Sequence, residues 1–138
     1  MLTFRSCEID EGPRIGRFVA SIPDPCVEPH RVEVDWSAPV YTWLVAEDEY
    51  GALRGVVALA LTPPFGIFEH LTICPGIRQS TKAKVASGLV ETGYTILRNL
   101  GIQAAVCFIP DAHSYWSDVL KKRGARVAYR GEVLVRGL

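Results

Sequence analysis

From Ile73 to Val85 the chain reads ICPGIRQSTKAKV, with Arg78, Ser80, Thr81, Lys82 and Lys84 gathered where a strand gives way to a helix. These are the side chains that grip a phosphate: hydroxyls for hydrogen bonds, cations for charge. Such junctions commonly use glycines, because a backbone without Cβ can approach the anion closely and a helix N-terminus favours negative charge. No glycine stands between Arg78 and Val85. Either charge and hydroxyls replace the glycines, or Ser80 or Thr81 caps the helix while both lysines face water.

Other chemistry is thinner. Cys7, Cys26, Cys74 and Cys107 are far apart with no Cys-x-x-Cys pair, and His30, His70 and His113 add no ligand spacing, so no metal site is expected. The cysteines read as buried, reduced thiols. Net charge is zero but unevenly spread: residues 1–50 carry ten acids and four bases, and residues 51–138 five acids and eleven bases. The basic half either faces the acidic half of the same molecule or attracts a phosphorylated ligand. No aromatic residues interleave with the bases and the pI is 6.8, which argues against nucleic acid.

The elements that must position the junction follow from periodicity. A strand is expected over residues 2–9, then a helix opened by Asp10 or Glu11 with Ile15, Phe18, Val19 and Ile22 on one face. Residues 23–40, broken by Pro23, Pro25 and Pro29, read as an irregular connection. Three strand-like runs, YTWLVAEDE, ALRGVVALAL and FGIFEHLTIC, make an antiparallel meander turned at Tyr50-Gly51 and Pro63-Pro64. A long helix follows, with Val85, Leu89, Gly93, Ile96, Leu97 and Leu100 at helical spacing and Gly101 as its stop. IQAAVCFI is nearly all apolar, as in a strand buried on both faces and paired in parallel. A second helix over 112–123 ends at Gly124, and ARVAYRGEVLVRGL reads as two strands about Arg130-Gly131. The fold class is α/β with a central mixed sheet flanked by helices, in the order β-α-β-β-β-α-β-α-β-β. At 138 residues the chain fits one domain, 1–138.

This order, with the Pro75-x-x-Arg78 step after the fourth strand and KKRGARV after the last helix, resembles the GNAT superfamily of acyl-CoA-dependent N-acyltransferases. The likeness covers nearly the whole chain in topology and is carried by two short places. In that family the fourth strand ends in Val/Ile-x-Pro, here Ile73-Cys74-Pro75, and a loop of pattern Arg/Gln-x-x-Gly-x-Gly/Ala holds the cofactor's pyrophosphate. On this chain the loop begins at Arg78. Thr81 stands at the first glycine and Ala83 obeys the pattern. The resemblance thus implies acetyl-CoA or another acyl-CoA as cofactor, bound by Leu71, Ile73, Arg78, Ser80, Thr81, Lys82, Ala83 and Lys84. The second place is the family's Asn-x-x-Ala-x-x-x-Tyr-x-x-x-Gly-Phe helix, matched here by His113, Trp116, Leu120, Gly124 and Ala125. Leu120 occupies the position of the proton-donating Tyr and transfers no proton, and Tyr115 lies on a different helical face. Catalytic candidates implied by the resemblance are Glu69 and His113. Glu69, set among Ile67, Phe68 and Leu71 and expected on the same strand face as Ile73, would be the base toward an ammonium group. His70 is expected on the opposite face.

The loop and the Leu120 position also resemble small GNAT-like proteins encoded by tailed phages, some linked to virion assembly. Two functions follow from these likenesses: an acyltransferase acting on a small amine or a protein amine, and a non-catalytic phage protein with a protein partner and a vestigial cofactor groove. No run of about 18 apolar residues and no signal-like N-terminus is present, so no membrane is expected. A cytoplasmic location, or a host cytoplasm or virion for a phage protein, is the corresponding expectation.

Overall fold

The computed structural model describes residues 1–22, 42–109 and 114–131. A five-stranded sheet runs in sequence order: β1 (Thr3–Ser6), β2 (Thr42–Glu47), β3 (Leu53–Thr62), β4 (Phe65–Ile73) and β5 (Ala104–Cys107). The first three pairings are antiparallel and β4–β5 is parallel. Between β1 and β2, a 3-10 turn at Ile9–Glu11 leads into α1 (Gly12–Ala20). The crossover from β4 to β5 is α2 (Gln79–Asn99), and α3 (Ser114–Lys122) follows β5. The mixed sheet flanked by helices is the expected class.

Alternating residues send the sheet's side chains to two cores. On one face Leu44, Ala46, Val57, Leu59 and Phe68 pack against Val85, Leu89 and Leu97 of α2. On the other, Trp43, Val45, Val56 and Ala58 pack against Ile15 and Val19 of α1. Helix α2 sits close to the sheet because glycines make room. A Cβ on Gly93 would collide with the Phe68 ring, and one on Gly88 with the Phe4 ring. Gly55 and Gly66, on the sheet, do the same for Val85 and Leu97.

Both helix stops are as expected. Gly101 (φ +73°) and Gly124 (φ +92°) take left-handed conformations. The amides of Ile102 and Ala125 donate back to the carbonyls of Leu97 and Leu120, closing each last turn in the six-to-one pattern.

Three expectations change. The helix start is not capped by Ser80 or Thr81: the cap residue is Arg78, and Ser80 and Thr81 lie inside the first turn. The strand in IQAAVCFI is four residues long and forms the sheet's edge among the described residues, with Ala104 and Ala105 exposed rather than buried on both faces. Residues 125–131 form no strand. Their expected hairpin partner, 132–138, lies outside the described residues, as does the expected irregular connection over 23–40.

Charge is also settled locally. Glu11 and Glu47 pair with Arg5 and Arg14 in one network (Arg5 to Glu11 at 2.6 Å, Arg5 to Glu47 at 2.7 Å), and Asp48 pairs with Arg54. These acids are held by nearby arginines and not by the basic residues of the last helix, of which Arg123 pairs with Glu91 on α2.

Candidate active site

Strands β4 and β5 pair from Phe65↔Ala104 to Phe68↔Cys107, and there the ladder stops. β4 runs on to Ile73, so the two strands part beyond Phe68 and Cys107. The cause is visible in β4 itself. Ala58 pairs with Glu69 and Val56 pairs with Thr72, so Val57 stands opposite two residues, His70 and Leu71. His70 takes φ +54°. This is a β-bulge, which leaves one residue unpaired and bends the strand.

The bulge reverses the alternation. Phe68 packs on the α2 side, and after it Leu71 and Ile73 do the same. Glu69 pairs with Ala58, a member of the α1-side core. Glu69 and Ile73 are therefore on opposite faces, not on the shared face a regular strand would give. Thr72 is buried beside the bulge and its hydroxyl donates to the His70 carbonyl at 3.2 Å.

Where the strands part, α2 begins. Arg78 is extended (φ −60°, ψ 148°), its carbonyl accepts the first helical hydrogen bond from the Lys82 amide at 2.9 Å, and no side chain caps the turn. No acidic residue lies in that turn. Its first amides, at Gln79, Ser80 and Thr81, are thus left to solvent or a ligand, and the helix dipole adds partial positive charge there. At 100° per residue, Lys82 falls on the side of α2 that carries the buried Ala86 and Leu89, and it is half-buried. Lys84 lies about 160° round the axis from it and is exposed, as is Ser80. The structure brings Arg78, Thr81, Lys82 and the end of β4 together and turns Ser80 and Lys84 away. Ala83 is half-buried on the helix, inside what was expected to be loop.

Leu120 is buried, 8% exposed, so the family's Tyr position carries a packed apolar side chain. Tyr115, on the same helix, has a buried hydroxyl with no hydrogen-bond partner among the described residues, and burial raises its pKa. His113 lies outside the described residues. Cys107 is a free thiol whose pKa burial pushes up to about 11. Cys7 and Cys74 are also free and half-buried, while Cys26 lies outside the described residues. Among the described residues no group of His, Cys, Asp and Glu is placed to hold a metal ion, and no helix is long and apolar enough to cross a membrane.

Sequence reasoning missed the bulge. In FGIFEHLTI the apolar residues Phe65, Ile67, Leu71 and Ile73 sit at odd positions and imitate one unbroken face. The buried Phe68 on the even register is the trace that a switch occurs.

No family model matches the sequence, and no curated protein matches it. Solved structures do match. An acetyltransferase of the GNAT family from Staphylococcus aureus superposes with a TM-score of 0.75 at 12% identity, over 97% of this chain and 90% of that one. A ribosomal-protein-alanine N-acetyltransferase from Brucella melitensis gives 0.72 at 15% identity, over 99% and 100%. A predicted acetyltransferase from Clostridium acetobutylicum, solved with acetyl-CoA, gives 0.69 at 12% identity, over 98% and 96%. The fold is that of the GNAT acetyltransferases. At these identities the likeness is one of fold, and within the GNAT fold the parted strands and the open start of α2 are this chain's own geometry.

Proposed function

We propose that the chain is an acyl-CoA-dependent N-acyltransferase. The observation that carries the reading is the parting of β4 from β5 at Phe68 and Cys107, with the uncapped start of α2 at the same end of the sheet. A pyrophosphate needs amide donors and positive charge, and Gln79, Ser80 and Thr81 amides with Arg78 and Lys82 supply both without the usual glycines. From Glu69 to Ile73 the main chain of β4 has no strand beside it on the β5 side among the described residues, so Leu71 and Ile73 can pair with an extended, amide-bearing ligand. These features fit an acyl-CoA, in agreement with the neighbour solved with acetyl-CoA.

Acyl-CoA, when bound, supplies a thioester to be cleaved by an amine. Glu69 takes the proton from the acceptor's ammonium group, directly or through one water, and so exposes the nitrogen lone pair. Leu120 has no proton to give, so the leaving thiolate takes one from water. Replacing Glu69 by Gln keeps the shape and removes the base. Glu69→Gln should lower the transfer rate by about 10²–10⁴ and leave CoA affinity unchanged. An unchanged rate would place the base elsewhere.

A second reading has one observation in its favour. Leu120 is packed where the pattern has a proton donor, as expected of a GNAT-fold protein that does not turn over, such as a phage assembly component. Measurable acyl transfer to any amine by the wild-type chain excludes it.

A further inference from the structure

The α1-side face of the sheet is covered over β2 and β3 and left bare over β4 and β5. Helix α1 packs Ile15 and Val19 onto Trp43, Val45, Val56 and Ala58. One strand further, Phe65 is 45% exposed. The register pairs it with Ala104 and pairs Ile67 with Val106, so these four side chains share the α1-side face. Ala104 is exposed, and Ile67 and Val106 are half-buried. Phe108, next in that alternation beyond Val106, is 63% exposed.

Glu69 continues the same row after Ile67, and extending the β4–β5 register by one residue sets it level with Phe108. It is the one acid in β4 and β5. The strip therefore ends in a single carboxylate, at the point where the strands part. A second ammonium group laid along Phe65, Ile67 and Val106 would lose water and meet no counter-charge. An aromatic or aliphatic body would instead remove apolar surface from water on both partners.

The geometry points to an acceptor with one ammonium group on an aromatic or aliphatic body, an arylalkyl amine rather than a polyamine or a small polar amine. The ammonium meets Glu69 and the apolar body lies along Phe108, Val106 and Ile67. This rests on the acyltransferase reading above and narrows its substrate.

The test compares 2-phenylethylamine, ethanolamine and spermidine as acceptors for the full chain with acetyl-CoA, followed by thiol release. The expected kcat/KM for 2-phenylethylamine exceeds that of the other two at least tenfold, with the difference in KM. Phe108→Ala should raise KM for 2-phenylethylamine at least threefold while leaving kcat and the slow use of ethanolamine unchanged. Saturation-transfer NMR of 2-phenylethylamine on the chain without cofactor should show contact at the ring protons, weakened in Phe108→Ala. Equal or better use of spermidine or ethanolamine overturns the inference and leaves the acyltransferase reading standing. A Phe108→Ala change that converts a dimer to a monomer without altering the amine ranking also overturns it, since a second copy would then cover the strip. Thiol release with no amine at all overturns the acyltransferase reading, and the inference with it.

Discussion

Glu69 and Leu71, two residues apart on one strand, face opposite sides of the sheet because His70 between them takes φ +54°. Two-residue spacing in a regular strand would put both on the same face. The bulge thus delivers a carboxylate to one surface while Leu71 and Ile73 stay on the α2 side, and it bends β4 where β5 leaves it. A β-branched residue resists positive φ, whereas Asn tolerates it. His70→Val should reduce stability by about 1–3 kcal/mol and His70→Asn by clearly less. Urea denaturation of the two variants checks this; equal losses would show that the backbone conformation at residue 70 is not the cause.

The approach of α2 to the sheet makes an opposite pair of glycine predictions. Gly93→Ala drives a methyl into the Phe68 ring, with Leu44 close behind at 3.3 Å, and should cost about 1–3 kcal/mol as an overpacked core site. Gly16, within α1, has nothing within 4 Å of its added Cβ. Gly16→Ala should therefore stabilise by about 0.5–1 kcal/mol through helix propensity alone. Thermal unfolding of both variants should give shifts of opposite sign.

Glu11 predicts the acid limb of stability. Hydrogen bonds from the Arg5 guanidinium and the Glu8 amide hold its pKa at about 2, below its ordinary 4.5. A carboxyl lowered on folding stabilises the fold fully above 4.5, and that contribution is lost as pH falls toward 2. Glu11→Gln should destabilise by about 1–3 kcal/mol near neutral pH, toward the low end because Arg5 is partly exposed. The gap between variant and wild type should close as pH approaches 2. Chemical denaturation across that range measures it, and a gap independent of pH would assign the loss to packing.

Much of the fold could be read from residue patterns. The meander, the long helix and both glycine stops follow from periodicity and turn chemistry, which are local. Three things did not follow. The bulge hides because Phe65, Ile67, Leu71 and Ile73 keep an odd-position pattern that a regular strand would also show. The short, exposed β5 differs from the buried strand its composition suggests, because burial depends on which distant segments cover it. The helix start at Gln79 was obscured by two good capping residues, Ser80 and Thr81, placed just inside it. For the candidate site, Glu69 and the Arg78–Lys82 grouping were visible as residue types, but the separation of Lys82 from Lys84 needed the helix to be placed.

The central claim is that the start of α2 holds an acyl-CoA by amides and charge in place of glycine. Isothermal titration of the chain with acetyl-CoA tests it directly, repeated for Lys82→Ala and Lys84→Ala at low and at moderate salt. A charge-assisted hydrogen bond contributes about 1.5–3 kcal/mol, so losing Lys82 should weaken binding at least tenfold, and the wild-type affinity should fall as salt rises. Lys84, exposed and about 160° round the helix, should matter less than twofold. No binding by the wild-type chain at low salt, or an affinity indifferent to Lys82, would contradict the account.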